Sequence, residues 1–178
     1  MRYSASLLGL KIKEQIDSMC LLMKALMKTI KVTTYSHKET QKLARLLAHE
    51  LWTSDVQRKG ALVIALEGDL GGGKTTFAQG FARGLGIREK VLSPTFVILK
   101  NYPLQTTHYK LFVHMDAYRL KSTKELQVLG WRDILKDTEA IVLVEWADRV
   151  RRALPKEYIR ILFEFVDEKT RNIIISNF

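Results

Sequence analysis

Gly68-Asp69-Leu70-Gly71-Gly72-Gly73-Lys74-Thr75-Thr76 is the stretch from which the fold is read. It fits G-x-x-x-x-G-K-[ST], with Gly68, Gly73, Lys74 and Thr75 at the defining positions. Ala61–Leu66, just before it, is an apolar run of strand length. Thr76–Leu85, just after it, carries apolar residues at helical spacing. Glycines without a Cβ let successive backbone N–H groups turn inward on an anion, and the following helix points its positive end at the same place. In this reading Gly68–Thr76 cradle phosphates, Lys74 reaches the β- and γ-phosphates, and the Thr75 hydroxyl ligates Mg²⁺. Such loops are exposed, so no side chain here is expected to pack in the core. The competing reading, a glycine-rich turn between strand and helix, is disfavoured because motif and flanking elements agree.

Upstream, Ile30–Tyr35 reads as a short strand, and Ser36-His-Lys-Glu39 as a capping box. Leu43, Leu46, Leu47 and Leu51 then mark a helix to about Trp52, followed by a polar loop at 53–60. Downstream, the helix after the glycine loop ends near Gly84–Gly86, and 91–99 holds a loop and a strand beginning at Ser93-Pro-Thr-Phe96. A strand at Lys110–Met115, short helices at Ser122–Leu129 and Gly130–Lys136, and a buried strand at Ala140–Val144 follow. Tyr158–Val166 and Arg171–Ser176 alternate as a closing hairpin around Asp167–Thr170. This order predicts an α/β fold of the phosphate-loop NTPase type: a partly parallel central sheet, helices on both faces, and a C-terminal β-hairpin. Ligands of such sheets bind at the carboxyl ends of the strands.

Two strands end in acids at that edge. Ile141-Val-Leu-Val-Glu145-Trp146 delivers Glu145, which would hold Mg²⁺ directly or through water. Leu111-Phe-Val-His-Met-Asp116 delivers Asp116, which could polarise attacking water or support the metal shell, or simply cap the turn into Tyr118. Arg119 could act on phosphate charge or form an ion pair. The hydroxyls of Ser93–Phe96 lie where a γ-phosphate-sensing segment would, although a proline-initiated turn explains the spacing equally well.

The net charge of +10 suggests an anionic partner, with lysine-rich solubility as the bland alternative. Cys20 is the lone cysteine, which fits a reducing, cytoplasmic setting, and no apolar run is long enough to span a membrane. Residues 1–29 are rich in Leu, Met and Lys and read as an appended extension that need not be structured, consistent with a start codon upstream of Met27. Lys11 and Lys13 argue against a signal peptide, and Glu14 and Asp17 against a transit peptide. The catalytic domain is assigned to 30–178.

Gly-Asp-Leu-Gly-Gly-Gly-Lys-Thr-Thr-Phe, Ser-Pro-Thr-Phe, His-Met-Asp-Ala-Tyr-Arg-Leu and Val-Glu-Trp-Ala occur in that order. Together they resemble the TsaE family, the ATPases of bacterial tRNA threonylcarbamoyladenosine biosynthesis, from about Ile30 to Ile175. The resemblance implies that Gly68–Thr76 bind ATP, with Lys74 and Asp116 catalytic. Thr75 and Glu145 would hold Mg²⁺, and Trp146 matches the family's aromatic after the acid. It implies hydrolysis that is slow alone and serves a TsaB–TsaD complex, with tRNA met indirectly or weakly. Gly72, Ala117 and Ala147 depart from the family's usual Ala, bulkier apolar residue and Pro, and none removes a chemical group. The alternative function is a small nucleotide or metabolite kinase, which would carry an Arg-rich lid. Only Arg149, Arg151 and Arg152 approach one, in a basic stretch to Arg160 that could instead face an acidic partner or tRNA. A non-catalytic nucleotide-sensing module is a further possibility.

Overall fold

Strands whose residues are nearly all apolar are buried on both faces, and these form the centre of the sheet. A computed structural model describes residues 29–53, 58–94, 96–106, 108–120, 122 and 124–177. Within them β2 (Leu62–Gly68), β4 (Leu111–Asp116) and β5 (Ala140–Glu145) are such strands. The other strands are β1 (Ile30–Thr34), β3 (Leu99–Pro103), β6 (Ile159–Phe165) and β7 (Arg171–Asn177). Among the described residues they make one 7-stranded sheet of order β1-β7-β6-β2-β5-β4-β3. The central four, β6, β2, β5 and β4, are mutually parallel; β3 and β7 flank them antiparallel, and β1 pairs antiparallel to β7 at the edge. The sheet is thus partly parallel, and β6–β7 is the expected hairpin.

One face is covered by α1 (His37–Thr53) and α2 (Lys74–Gly84), which bury Leu43, Leu47, Phe77 and Phe81 against Phe112, Ile161 and Phe163. The two helices nearly touch: a Cβ on Gly80 would lie 2.4 Å from Gln41 O, so only glycine permits this approach. The other face is covered by α3 (Glu125–Val128), α4 (Trp131–Lys136) and a 3₁₀ segment (Ala147–Ala153), over Val63, Val113, Met115 and Val144. At the start of α1, Ser36 Oγ accepts from Glu39 N–H at 3.2 Å, as a capping box requires. The return bond lands one residue early, with Tyr35 N–H donating to Glu39 Oε2 at 2.9 Å.

Two expectations shift. The strand expected inside 91–99 instead begins at Leu99, because Pro94 O accepts from Val97 N at 3.0 Å and Ile98 N at 2.6 Å, closing a turn. Ile98 then takes φ +67°, and β3 follows as an exposed edge strand. The helix expected over Ser122–Leu129 shortens to Glu125–Val128. Residues 1–28 of the extension, with Cys20, and 54–57 of the loop at 53–60 lie outside the described residues. No helix of the described residues is long and apolar enough to cross a membrane.

Candidate phosphate and metal site

Parallel β2, β5 and β4 bring their carboxyl ends to one edge, where Leu66 pairs with Glu145 in β5 and Glu145 with Asp116 in β4. The glycine loop leaves β2 at this edge. At Gly68, φ is +127° and a Cβ would stand 2.4 Å from Phe163 O on β6, so the chain turns only with glycine there. Gly73, at φ +102°, caps α2 from the left-handed region. Asp69, Leu70 and Gly71 are exposed, Gly72 is buried, and Thr75 and Thr76 are half-buried on the first turn.

Lys74 is not exposed as expected: only 4% of its surface is accessible. Its ammonium donates to Gly68 O at 2.7 Å and Asp69 O at 2.8 Å, and lies 3.6 Å from the centroid of the Trp146 ring. Burial holds its pKa below the usual lysine range, against the opposing pull of Glu145, Asp148, Asp116 and Asp69. A phosphate arriving here competes with two backbone carbonyls and an aromatic face for one cation.

Thr75 Oγ donates to Glu145 Oε2 at 2.6 Å. That hydrogen bond commits the hydroxyl's proton and leaves its lone pairs free to face a cation. Glu145 Oε1 lies 2.9 Å from His114 Nε2. A carboxylate only accepts, so Nε2 carries the proton, and buried Nδ1 is left without a partner, as suits a bare lone pair. Glu145 is therefore gripped from both sides, by the Thr75 hydroxyl and the His114 ring. Thr75 and Glu145 are hard oxygen donors, the type Mg²⁺ takes when phosphate and water fill its other positions. Among the described residues no group of three or more His, Cys, Asp or Glu could hold a metal by itself.

Asp116 is both cap and connector. Its Oδ1 accepts from Tyr118 N–H at 2.8 Å, and its Oδ2 from Ser93 Oγ at 2.6 Å. The Ser-Pro-Thr-Phe segment is thereby tied to the end of β4, beside Glu145. Trp146 follows Glu145 with φ +58°, half-buried, its ring 4.9 Å from that of Tyr118. Arg119 reaches neither the loop nor a carboxylate in a described bond, and stands over the exposed Phe96 ring at 4.3 Å.

Three features were not found from the sequence. His114 is hidden within a buried strand. Glu67, 3% exposed, accepts from Arg151 at 3.0 Å and Arg160 at 2.7 Å, so the basic stretch 149–160 is not wholly outward-facing as expected. Arg151 has its pKa raised by that hydrogen bond to Glu67. Arg171 on β7 donates to Gly71 O in the glycine loop at 3.0 Å. A carboxylate inside an otherwise apolar strand, as at Glu67, is the signal that could have prompted a search for its counter-charges.

The profile described as "Threonylcarbamoyl adenosine biosynthesis protein TsaE" matches residues 34–173. The tRNA threonylcarbamoyladenosine biosynthesis protein TsaE of Bacillus subtilis (strain 168) is 38% identical over 150 residues, 84% of this chain and 87% of that protein. The protein of the same name from Nostoc sp. is 39% identical over 119 residues, 65% of this chain and 70% of that one. The crystal structure of Bacillus subtilis YdiB superposes with a TM-score of 0.65 at 34% identity, covering 85% of this chain and 86% of that one. With the profile spanning β1 to β7 and relatives aligned along most of their own length, the chain belongs to the TsaE family.

Proposed function

We propose that the chain is a Mg²⁺-dependent ATPase that binds the TsaB–TsaD complex and supports its turnover in tRNA threonylcarbamoyladenosine formation. The observation that carries the reading is the 2.6 Å contact between Thr75 and Glu145, set at the mouth of a glycine loop whose lysine lies beside it. Thr75 and Glu145 would hold Mg²⁺, which would supply neutralisation of phosphate charge. The chain's own residues bind and orient. The loop N–H groups and the α2 terminus hold phosphate oxygens, and Lys74 leaves its carbonyls to meet the transferring group. Glu145 orients the Thr75 lone pairs, and Asp116 holds Ser93 and with it the segment beside the γ-phosphate. Phosphoryl transfer asks chiefly for such positioning and charge.

Turnover is slow until a partner orders the Ser93–Phe96 segment. The relatives' names support the modification pathway as the setting, and the reducing, cytoplasmic location read from the sequence suits it. The domain 30–178 carries the activity, and a chain starting at Met27 is expected to keep nucleotide and partner binding. Engagement of Arg151 with Glu67 speaks against an Arg-rich kinase lid.

The test is phosphate release from ATP with and without TsaB–TsaD, beside a panel of acceptor nucleosides. Stimulation by the complex with no acceptor phosphorylated supports the reading; a phosphorylated acceptor replaces it with the kinase. Capture of TsaB–TsaD should require ATP rather than ADP, and equal capture in every nucleotide state would remove the coupling.

A further inference from the structure

We propose that the base of the bound nucleotide stacks at the tip of the β6–β7 hairpin, on the exposed side of the Phe165–Arg171 pair. This rests on the reading that a nucleoside triphosphate places its phosphates in the glycine loop. The metal-binding end of that ligand is set by Thr75 and Glu145, on the β5 side of β2. β6 and β7 lie on the opposite side of β2. A phosphate chain whose γ end points toward Glu145 therefore sends its nucleoside toward β6 and β7.

The hairpin tip is level with the loop and tied to it. Gly68 pairs with Phe163, so Phe165 stands two residues beyond, past the end of the paired segment. Phe165 pairs in turn with Arg171, whose guanidinium lies 4.5 Å from the ring centroid. Arg171 is held by Gly71 O at 3.0 Å, by Thr170 O at 2.8 Å and by Asp167 O. The turn itself is set by Asp167, which accepts from the N–H groups of Lys169 and Thr170.

Exposure separates this ring from its neighbours on the same face of β6. Ile161 and Phe163 are buried, yet Phe165 is 57% exposed. A flat aromatic ring backed by a guanidinium, rigidly fixed beside a phosphate loop, is the chemistry that receives a purine face. Recognition by the face rather than the edge makes the platform tolerant of base identity and favours purines through their larger stacking area. Two other exposed aromatic–guanidinium pairs, Phe96 with Arg119 and Tyr118 with Arg149, belong to the segments beside the ends of β4 and β5, on the metal side of β2 and opposite to the hairpin.

The experiment is calorimetric titration of the full chain with Mg·ATP, Mg·GTP, Mg·CTP and Mg·tripolyphosphate, for wild type, Phe165→Ala, Phe165→Trp and Lys74→Met. Phe165→Ala should weaken ATP and GTP about tenfold, narrow their advantage over CTP, and leave tripolyphosphate unchanged, with Phe165→Trp restoring the purines. Lys74→Met should weaken every ligand. Unchanged ATP affinity in Phe165→Ala, or an equal loss for tripolyphosphate, overturns the base assignment while leaving the loop reading intact. Failure of wild type to bind ATP, or indifference to Lys74→Met, overturns the loop reading and the platform with it.

Discussion

Glu67 and Glu145 end neighbouring parallel strands, one buried to 3% and the other to 1% exposure, yet their surroundings are opposite. Glu67 meets guanidinium groups of Arg151 and Arg160. Glu145 hydrogen-bonds to a hydroxyl and an imidazole, and among the described residues no Lys or Arg hydrogen-bonds to it, although the Lys74 ammonium is near enough to feel its charge. The first carboxylate has its charge balanced inside the protein and serves to lock β2, β6 and the 3₁₀ segment together. The second is oriented without a guanidinium hydrogen-bonded to it, which leaves it open to a cation. Position at a strand end nominates an acid as a ligand; the nature of its partners decides whether it can be one.

The comparison breaks first at Glu145. Glu145→Gln keeps the shape and removes the charge, and should cut ATP turnover by two to three orders of magnitude, roughly the loss seen when one fixed electrostatic group is removed from an active site. The melting temperature should move little by comparison. If Glu67→Gln gave the same kinetic loss with the same loss of Mg²⁺ dependence, the distinction would collapse.

Next comes stability. Glu67→Gln leaves Arg160 facing a neutral amide in a confined place and should cost about 3 kcal/mol by chemical denaturation, with the metal dependence of nucleotide binding unchanged. Arg160→Ala should fall close behind, since its side chain is only 25% exposed. Arg151→Ala should cost under about 1 kcal/mol, because its side chain is 57% exposed and its pair is screened by solvent. A larger loss at Arg151 than at Arg160 would mean that the 3₁₀ segment, not β6, is what Glu67 secures.

A subtler probe concerns Asp116, between these extremes. Asp116→Asn can still accept from Tyr118 N–H while weakening the bond from Ser93. ATP affinity should stay within about threefold of wild type, a change under 1 kcal/mol, and the partner's stimulation of turnover should be lost. Loss of Mg²⁺-dependent affinity instead would move Asp116 to Glu145's side of the comparison.

Much of this was readable from the chain because burial on both faces forces an apolar run. β2, β4 and β5 announce themselves, and the glycine spacing between β2 and α2 has few other uses. The hairpin was legible from alternation in Tyr158–Val166 and Arg171–Ser176, and the strands run over Ile159–Phe165 and Arg171–Asn177. β3 was misplaced because an edge strand holding Lys100 and Asn101 need not be apolar, while the apolar Phe96 and Val97 sit in a turn and stay exposed. Motif and strand ends nominate Lys74, Thr75 and Glu145, which the fold places at one edge of the sheet. They do not nominate His114, Arg160 and Arg171, because their roles depend on which strand lies beside which, and spacing along one chain does not carry that.

Trp146 gives the molecule an optical reporter of its own. Its indole stacks against the Lys74 ammonium, whereas Trp131 is buried within the same apolar cluster with its Nε1 donating to Ala153 O. Drawing Lys74 off the ring removes a positive charge from within van der Waals range of the chromophore. Emission from the unlabelled protein should therefore change at the moment of loop engagement, and Trp146→Phe should silence that signal while leaving the rest of the spectrum in place. The time course of phosphate capture is then measurable by stopped flow, separately from the slower events at the partner surface.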